Sequence, residues 1–356
     1  MRASPAPVSP RRLLDMMGRL GGLCLVFAIL AMPTALKLSL GFVKLTLSDM
    51  TLGLALLLLA PVAASKQTSG DTFKGLLWPL LFVACAAASV GAATNRLLGL
   101  RELAQLSLYC LAGAWMYTYL AAGLAWRKWG HYAFRGALAV GLLGCLLRVL
   151  NRPDALALIY GSGYGLACSL ILTSLLCSID LAPGHPRKPA RTQIVWPVIA
   201  ALGVVILYWP VAAADTAASI DRDTPPGVPQ RYLEAYASLS VLASSPLLGV
   251  GLGNYQLHIG EYYQGMPKDN TIVPGTRIGY AVLLASTGIL GLTAYVYWLI
   301  NLWRRAAKKG KAAVYIKGCL AALAVCGFLT PICVGRILLP LALLHGLILS
   351  EAPNNA

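Results

Sequence analysis

Apolar residues along this chain come in runs of about twenty, not in the narrow stripes of helices that face water on one side. A bilayer's hydrocarbon core is roughly 30 Å thick and a helix rises about 1.5 Å per residue, so about 20 apolar residues make one crossing. Runs of this kind predict ten membrane spans, near residues 20–38, 45–64, 76–93, 103–124, 133–150, 160–179, 194–214, 278–302, 313–333 and 337–350. The first follows Arg2, Arg11, Arg12 and Arg19, as a signal peptide would, but no small-x-small cleavage site ends it and it reads as a retained helix. The expected fold class is all-α: a polytopic transmembrane helix bundle, one membrane domain over residues 1–356.

One stretch interrupts this pattern. Residues 215–277 form a long polar loop that opens with Asp215, Asp221, Arg222 and Asp223. The Thr-Pro-Pro-Gly-Val-Pro of residues 224–229 then excludes a helix. Over residues 230–243, Tyr232, Leu233, Tyr236, Leu239 and Leu242 recur at helical spacing, and Ser244-Ser245-Pro246 ends the run. That spacing predicts a short amphipathic helix at the membrane interface. Tyr232, Tyr236, Tyr255, Tyr262 and Tyr263 suit headgroup depth, where one end of the ring is apolar and the other wet.

Composition supports the reading, with 58% hydrophobic and 12% charged residues. A net charge of +16 would point to nucleic acid in a soluble protein, so the placement of the basic residues decides its meaning. With a cytoplasmic N-terminus, 18 of the 29 Lys and Arg residues fall on the inner side, and the rest are spread over far more exposed sequence. The bias puts both ends in the cytoplasm and the long loop on the outer side, and it leaves no role for nucleic acid. All nine cysteines lie within apolar spans and read as small packing residues, not as a disulfide framework or a metal site.

Candidate chemistry lies on the outer side. Arg148 and Arg152 stand at the outer end of the fifth span, Arg231 just before the interfacial helix and Arg277 just before the eighth span. A guanidinium near a span is costly unless an anion or a water-filled cleft receives it, and its planar fork binds phosphate oxygens bidentately. The four could clamp a pyrophosphate; alternatively, they snorkel to headgroups or pair with Asp154 and Glu234. Gly249, Gly251 and Gly253 alternate in a G-x-G-x-G run that allows sharp turns and close backbone approach. No βα unit precedes it, which argues against a dinucleotide loop. His258 is the one imidazole on the outer side, with Glu261 nearby. Either could take a proton, or His258 is simply a solvated loop histidine.

Arg231, the Pro-Leu-Leu-Gly-Val-Gly-Leu-Gly-Asn-Tyr of residues 246–255, and Gly288-Ile289-Leu290-Gly291 in the next span together resemble the O-antigen ligase and polymerase superfamily of bacterial envelope glycan assembly. The resemblance is specific over about residues 228–295 and weak over the first 140. It implies an inner-membrane enzyme working at the periplasmic face, in O-antigen or exopolysaccharide assembly. Such an enzyme transfers a glycan from an undecaprenyl-pyrophosphate-linked donor to a sugar hydroxyl of an acceptor glycan or lipid-linked repeat unit. Its partners are those two substrates and the membrane lipids; neither nucleotide sugar, metal nor other cofactor takes part.

Two family features are missing. Counting back eleven residues from Gly288, where many ligases carry histidine, gives Arg277, and Ser286-Thr287 replaces a glutamate common before that glycine. Arginine can clamp charge but cannot serve as a general base at physiological pH. The loss favours polymerase over ligase. A flippase or transporter of an envelope precursor, and a non-catalytic assembly subunit, are the competing expectations.

Overall fold

A computed structural model describes residues 10–31, 37–40, 43–65, 70–121, 230–259, 279–308, 313–326 and 335–350. Their regular elements are helices apart from one short hairpin. The helices are α1 (Pro10–Ala31), α2 (Leu47–Ala64), α3 (Gly70–Gly91), α4 (Arg96–Ala121), α5 (Gln230–Ser244), α6 (Tyr255–Ile259), α7 (Gly279–Ala307), α8 (Ala313–Cys326) and α9 (Gly335–Ser350). The predicted spans at 133–150, 160–179 and 194–214 lie outside the described residues.

The helical architecture agrees with the all-α expectation, and one short hairpin interrupts it. Strands β1 (Lys37–Leu40) and β2 (Val43–Thr46) pair antiparallel, with Lys37 opposite Thr46 and Leu40 opposite Val43. Hydropathy assigned Lys37 and Leu38 to the end of the first span, Leu45 and Thr46 to the start of the second, and the rest to their connection. The period-two alternation of Lys-Leu-Ser-Leu and Val-Lys-Leu-Thr is a strand pattern that a count of apolar residues over twenty positions averages away. The first helix accordingly begins earlier and ends earlier than expected.

The helices pack as a bundle in which α1 lies on α2, α3 on both α4 and α7, α4 on α2 and α9, and α7 on α5 and α8. Small residues allow two of the closest approaches: Gly21 of α1 faces Leu58 and Leu59 of α2, and Gly113 of α4 meets the backbone of Ala342 in α9. Any side chain at Gly113 would collide with that backbone, so the α4–α9 contact depends on the missing Cβ.

In the core between α3, α7 and α9, Phe82, Tyr295, Trp298 and His345 are fully buried. The Tyr295 and Trp298 rings meet edge to face at 6.3 Å, and Phe82 lies 5.5 Å from Tyr295. The indole Nε1–H of Trp298 donates to His345 Nδ1 at 3.3 Å, which satisfies the one polar atom that so large a buried ring carries.

One helix among the described residues, α7, is long and apolar enough to cross a membrane; Asp49–Val62 and Leu76–Gly91 are shorter apolar stretches. Large apolar side chains also face outward from the bundle, among them Leu54 and Leu57 of α2, Leu77 and Leu80 of α3, and Ile289, Ile300 and Trp303 of α7.

Candidate functional site

The site is built around a break in α7. The helix departs from helical geometry at Gly288, with φ 67° and ψ −170°, so the i→i−4 hydrogen-bond ladder is interrupted there. An interrupted ladder frees carbonyls on one side and N–H groups on the other, and in an apolar setting each must find a partner.

The glycine-rich loop supplies them. Pro246 and Leu247 carbonyls accept from the freed N–H groups of Ile289 (3.0 Å) and Leu290 (3.4 Å). In the other direction, the N–H groups of Val250 and Gly251 donate to the carbonyls of Ala285 (2.9 Å) and Ser286 (3.1 Å). Loop and broken helix thus complete each other's backbone hydrogen bonding.

This docking explains the glycines. Gly249, Gly251 and Gly253 have φ of 69°, 96° and 75°, in the left-handed region that glycine alone enters without strain. Space is equally restrictive: a Cβ on Gly249 would strike the Ala285 carbonyl, and one on Gly288 would strike the backbone of Leu247. Two glycines face each other across the junction because neither backbone leaves room for a side chain.

The loop then crosses to the turn between α3 and α4. Asn254 is fully buried, and its Oδ1 accepts from the Asn95 N–H at 2.7 Å while its Nδ2 donates to the carbonyls of Asn95 (3.2 Å) and Leu252 (3.0 Å). Asn95 in turn caps α4, its Oδ1 accepting from the Leu98 N–H at 3.1 Å. The Leu252 N–H donates to Ser89 Oγ at 3.3 Å. The loop is therefore tied at both ends, and its 246–255 segment is part of the bundle, not a lid over it.

Helix α5 sits on this junction through small residues. Ala237, Ser238 and Val241 are buried, and Ala237 and Val241 cluster with Val250, Tyr255 and Ala285. Ser238 Oγ and Tyr255 Oη share a buried hydrogen bond of 2.7 Å. Tyr236 and Leu239, two members of the apolar stripe read from the sequence, point away from the bundle and are 58% exposed each, which leaves them for another apolar phase.

Beyond Asn254, α6 carries His258 to the α3–α4 turn, where its Nε2 lies 3.0 Å from the hydroxyl of Thr94. Polar groups continue down one face of α4. Glu102, Gln105 and Tyr109 recur at helical spacing over about 10 Å at ~1.5 Å per residue. Gln105 Nε2 donates to Tyr109 Oη at 2.9 Å, and the Tyr109 hydroxyl donates to Asp49 of α2, which is buried. The stem of Glu102 lies against Gly253, where a Cβ would come within 2.8 Å of its Cγ. Burial pushes the Glu102 carboxyl above the usual carboxylate range; Arg101 pulls it down and Asp49 pushes it further up.

Of the residues singled out in the sequence, the structure brings His258 and the three loop glycines to this junction. Arg231 lies in the first turn of α5, and its side chain is not among those described. Arg148, Arg152, Glu261 and Arg277 lie outside the described residues. Sequence reasoning passed over Asp49, Thr94, Asn95, Glu102, Gln105 and Tyr109, and took Asn254 only as part of the 246–255 motif. Asp49 was detectable, since an ionisable residue inside an apolar span marks function by default. Ser286 and Thr287, which stand where the resembled superfamily commonly has glutamate, have structural duties here: the Ser286 carbonyl accepts from the loop, and Thr287 Oγ1 donates to the Leu283 carbonyl at 2.8 Å.

The chain matches no protein-family model and no curated protein.

Proposed function

We propose that the protein is an inner-membrane glycan polymerase or ligase of the O-antigen type, crossing the bilayer about ten times with its loop at the periplasmic face. The observation that carries this reading is the docking of the 246–255 loop into the break of α7, which places an imidazole and a column of polar side chains at one end of an apolar bundle. A donor with a polyprenyl tail would reach such a place laterally, its tail in the bilayer and its pyrophosphate at the polar end. The outward-facing leucines, isoleucines and tryptophan of α2, α3 and α7 support a lipid surrounding, because water would penalise an apolar surface of that extent.

Arg148, Arg152, Arg231 and Arg277 would hold the pyrophosphate. Negative charge builds on its bridging oxygen as the sugar leaves, so fixed guanidinium groups stabilise the transition state more than the ground state. The acceptor hydroxyl would attack the anomeric carbon, giving up its proton to His258 or Glu261. The chemistry needs no nucleotide or metal.

A transporter is the second reading, and one observation favours it. A discontinuous helix and a buried carboxylate are features of transporter binding sites, and α7 and Asp49 supply both. In a transporter, however, the backbone groups freed by the break are left for substrate or ion, whereas here the loop occupies four of them. Incubating the purified protein with a polyprenyl-pyrophosphate-linked glycan separates the two. Longer or transferred glycan chains are expected; a substrate that crosses proteoliposomes without covalent change would overturn the proposal.

A further inference from the structure

The histidine of the resembled ligases is replaced by Arg277, which leaves the proton acceptor to be found elsewhere. His258 is the candidate with a described position. A neutral imidazole acts as a base through the nitrogen that carries the lone pair, so the hydrogen-bond partner of one nitrogen decides the role of the other.

The structure supplies that partner from a remote part of the chain. Thr94 Oγ1 lies 3.0 Å from His258 Nε2, across 164 residues of sequence. The contact is not an incidental meeting of two mobile loops. Asn95, next to Thr94, is held to Asn254 by two hydrogen bonds, and Asn254 stands four residues before His258. The Leu257 N–H also donates to the Asn254 carbonyl at 2.9 Å, which fixes the turn that delivers the ring. The ordering of both partners is thus already met by the fold before any substrate arrives.

We propose that Thr94 is a positioning residue for His258, its hydroxyl oxygen accepting the Nε2–H so that the Nδ1 lone pair takes the proton of the acceptor sugar hydroxyl. This deepens the transferase reading and rests on it. As the hydroxyl oxygen bonds to the anomeric carbon, the bond from that carbon to the pyrophosphate oxygen breaks. The electron pair leaves on the pyrophosphate, and the hydroxyl proton passes to Nδ1. The reverse arrangement, with the Thr94 hydroxyl donating to Nε2, would place the ring proton on Nδ1, which would then have no lone pair to offer the sugar hydroxyl.

The test uses the full chain in lipid nanodiscs as wild type, T94V, T94S and H258Q, with a polyprenyl-pyrophosphate-linked oligosaccharide as donor. T94V is expected to lower kcat about tenfold with KM unchanged, T94S to restore it, and H258Q to abolish transfer. In parallel, ¹⁵N-histidine NMR reads the tautomer, the His258 signal being the one that H258Q removes. The Nε2–H form should dominate in the wild type and mix with the other in T94V. Wild-type turnover in T94V or in H258Q would overturn the proposal, as would a dominant Nδ1–H form. If the wild type transfers no glycan, the transferase reading and the catalytic role fall together. The NMR signature still decides whether Thr94 sets the ring.

Discussion

Two stretches of the α3–α7 contact hold together by opposite means. Around Tyr295 and Trp298 the helices meet through large side chains, with Phe82 and His345 completing the cluster. Around Gly288, about two turns away, the 246–255 loop comes between them and pairs with α7 backbone to backbone, with glycine where a Cβ would collide. Side-chain packing degrades by degrees, because neighbours relax into part of any space that is opened. Backbone pairing has no such tolerance: a carbonyl cannot be trimmed, and a freed N–H in an apolar setting has no water to fall back on.

The largest effect should therefore come from the backbone junction. Gly288→Val adds a β-branched side chain at positive φ and drives it into the Leu247 backbone, for a loss of at least ~3 kcal/mol. Limited proteolysis should then cut within residues 246–255, which the wild type protects; equal protection in both would break the comparison. Trp298→Ala should cost about 3–5 kcal/mol by opening a cavity and removing the bond to His345. Trp298→Phe should cost roughly half as much, and melting in detergent would read this graded response. A Trp298→Phe loss equal to that of Gly288→Val would show that the aromatic cluster is no more forgiving than the glycine junction.

Asn254→Ala removes three hydrogen bonds of a buried side chain, and a loss of about 2 kcal/mol is expected. Hydrogen exchange should show the Asn95 amide losing protection, while amides within the aromatic segment of α7 keep theirs. The smallest effect has the opposite sign. The Glu102 carboxyl is raised above its ordinary value of 4.5, so the folded chain binds its proton more tightly than the unfolded one. Stability from this group is present below that value and is lost as pH rises through the raised one. Glu102→Gln should therefore raise the melting temperature slightly near neutral pH and make no difference below about pH 4. A lower melting temperature at neutral pH would instead mean that the charged carboxylate is stabilising.

Much of the helical layout was legible, and for a plain reason: long apolar runs and turn residues act locally. The predicted helix at 230–243 is found as α5 over Gln230–Ser244, ended where Ser-Ser-Pro stands, and residues 279–302 of the predicted eighth span lie within α7. The alternation of glycines at 249, 251 and 253 was readable as a chain that bends and approaches something closely. What it approaches was not readable, nor was the break at Gly288, because an apolar run containing Gly-Ile-Leu-Gly is equally compatible with a straight helix. The packing face of α5 was not readable either: the small residues Ala237 and Ser238 face the bundle, while Tyr236 and Leu239 of the apolar stripe do not.

By itself, the sequence determined roughly where most of the described helices lie, which segment is polar, and where alternating glycines let the backbone bend. These depend on hydropathy, proline and φ preferences, all properties of neighbouring residues. The tertiary structure alone decided that the glycine loop fills a broken helix, that Asn254 ties it to Asn95, and that Thr94 meets His258. Each of those pairings joins groups tens to well over a hundred residues apart, and its geometry arises only once the intervening helices have packed.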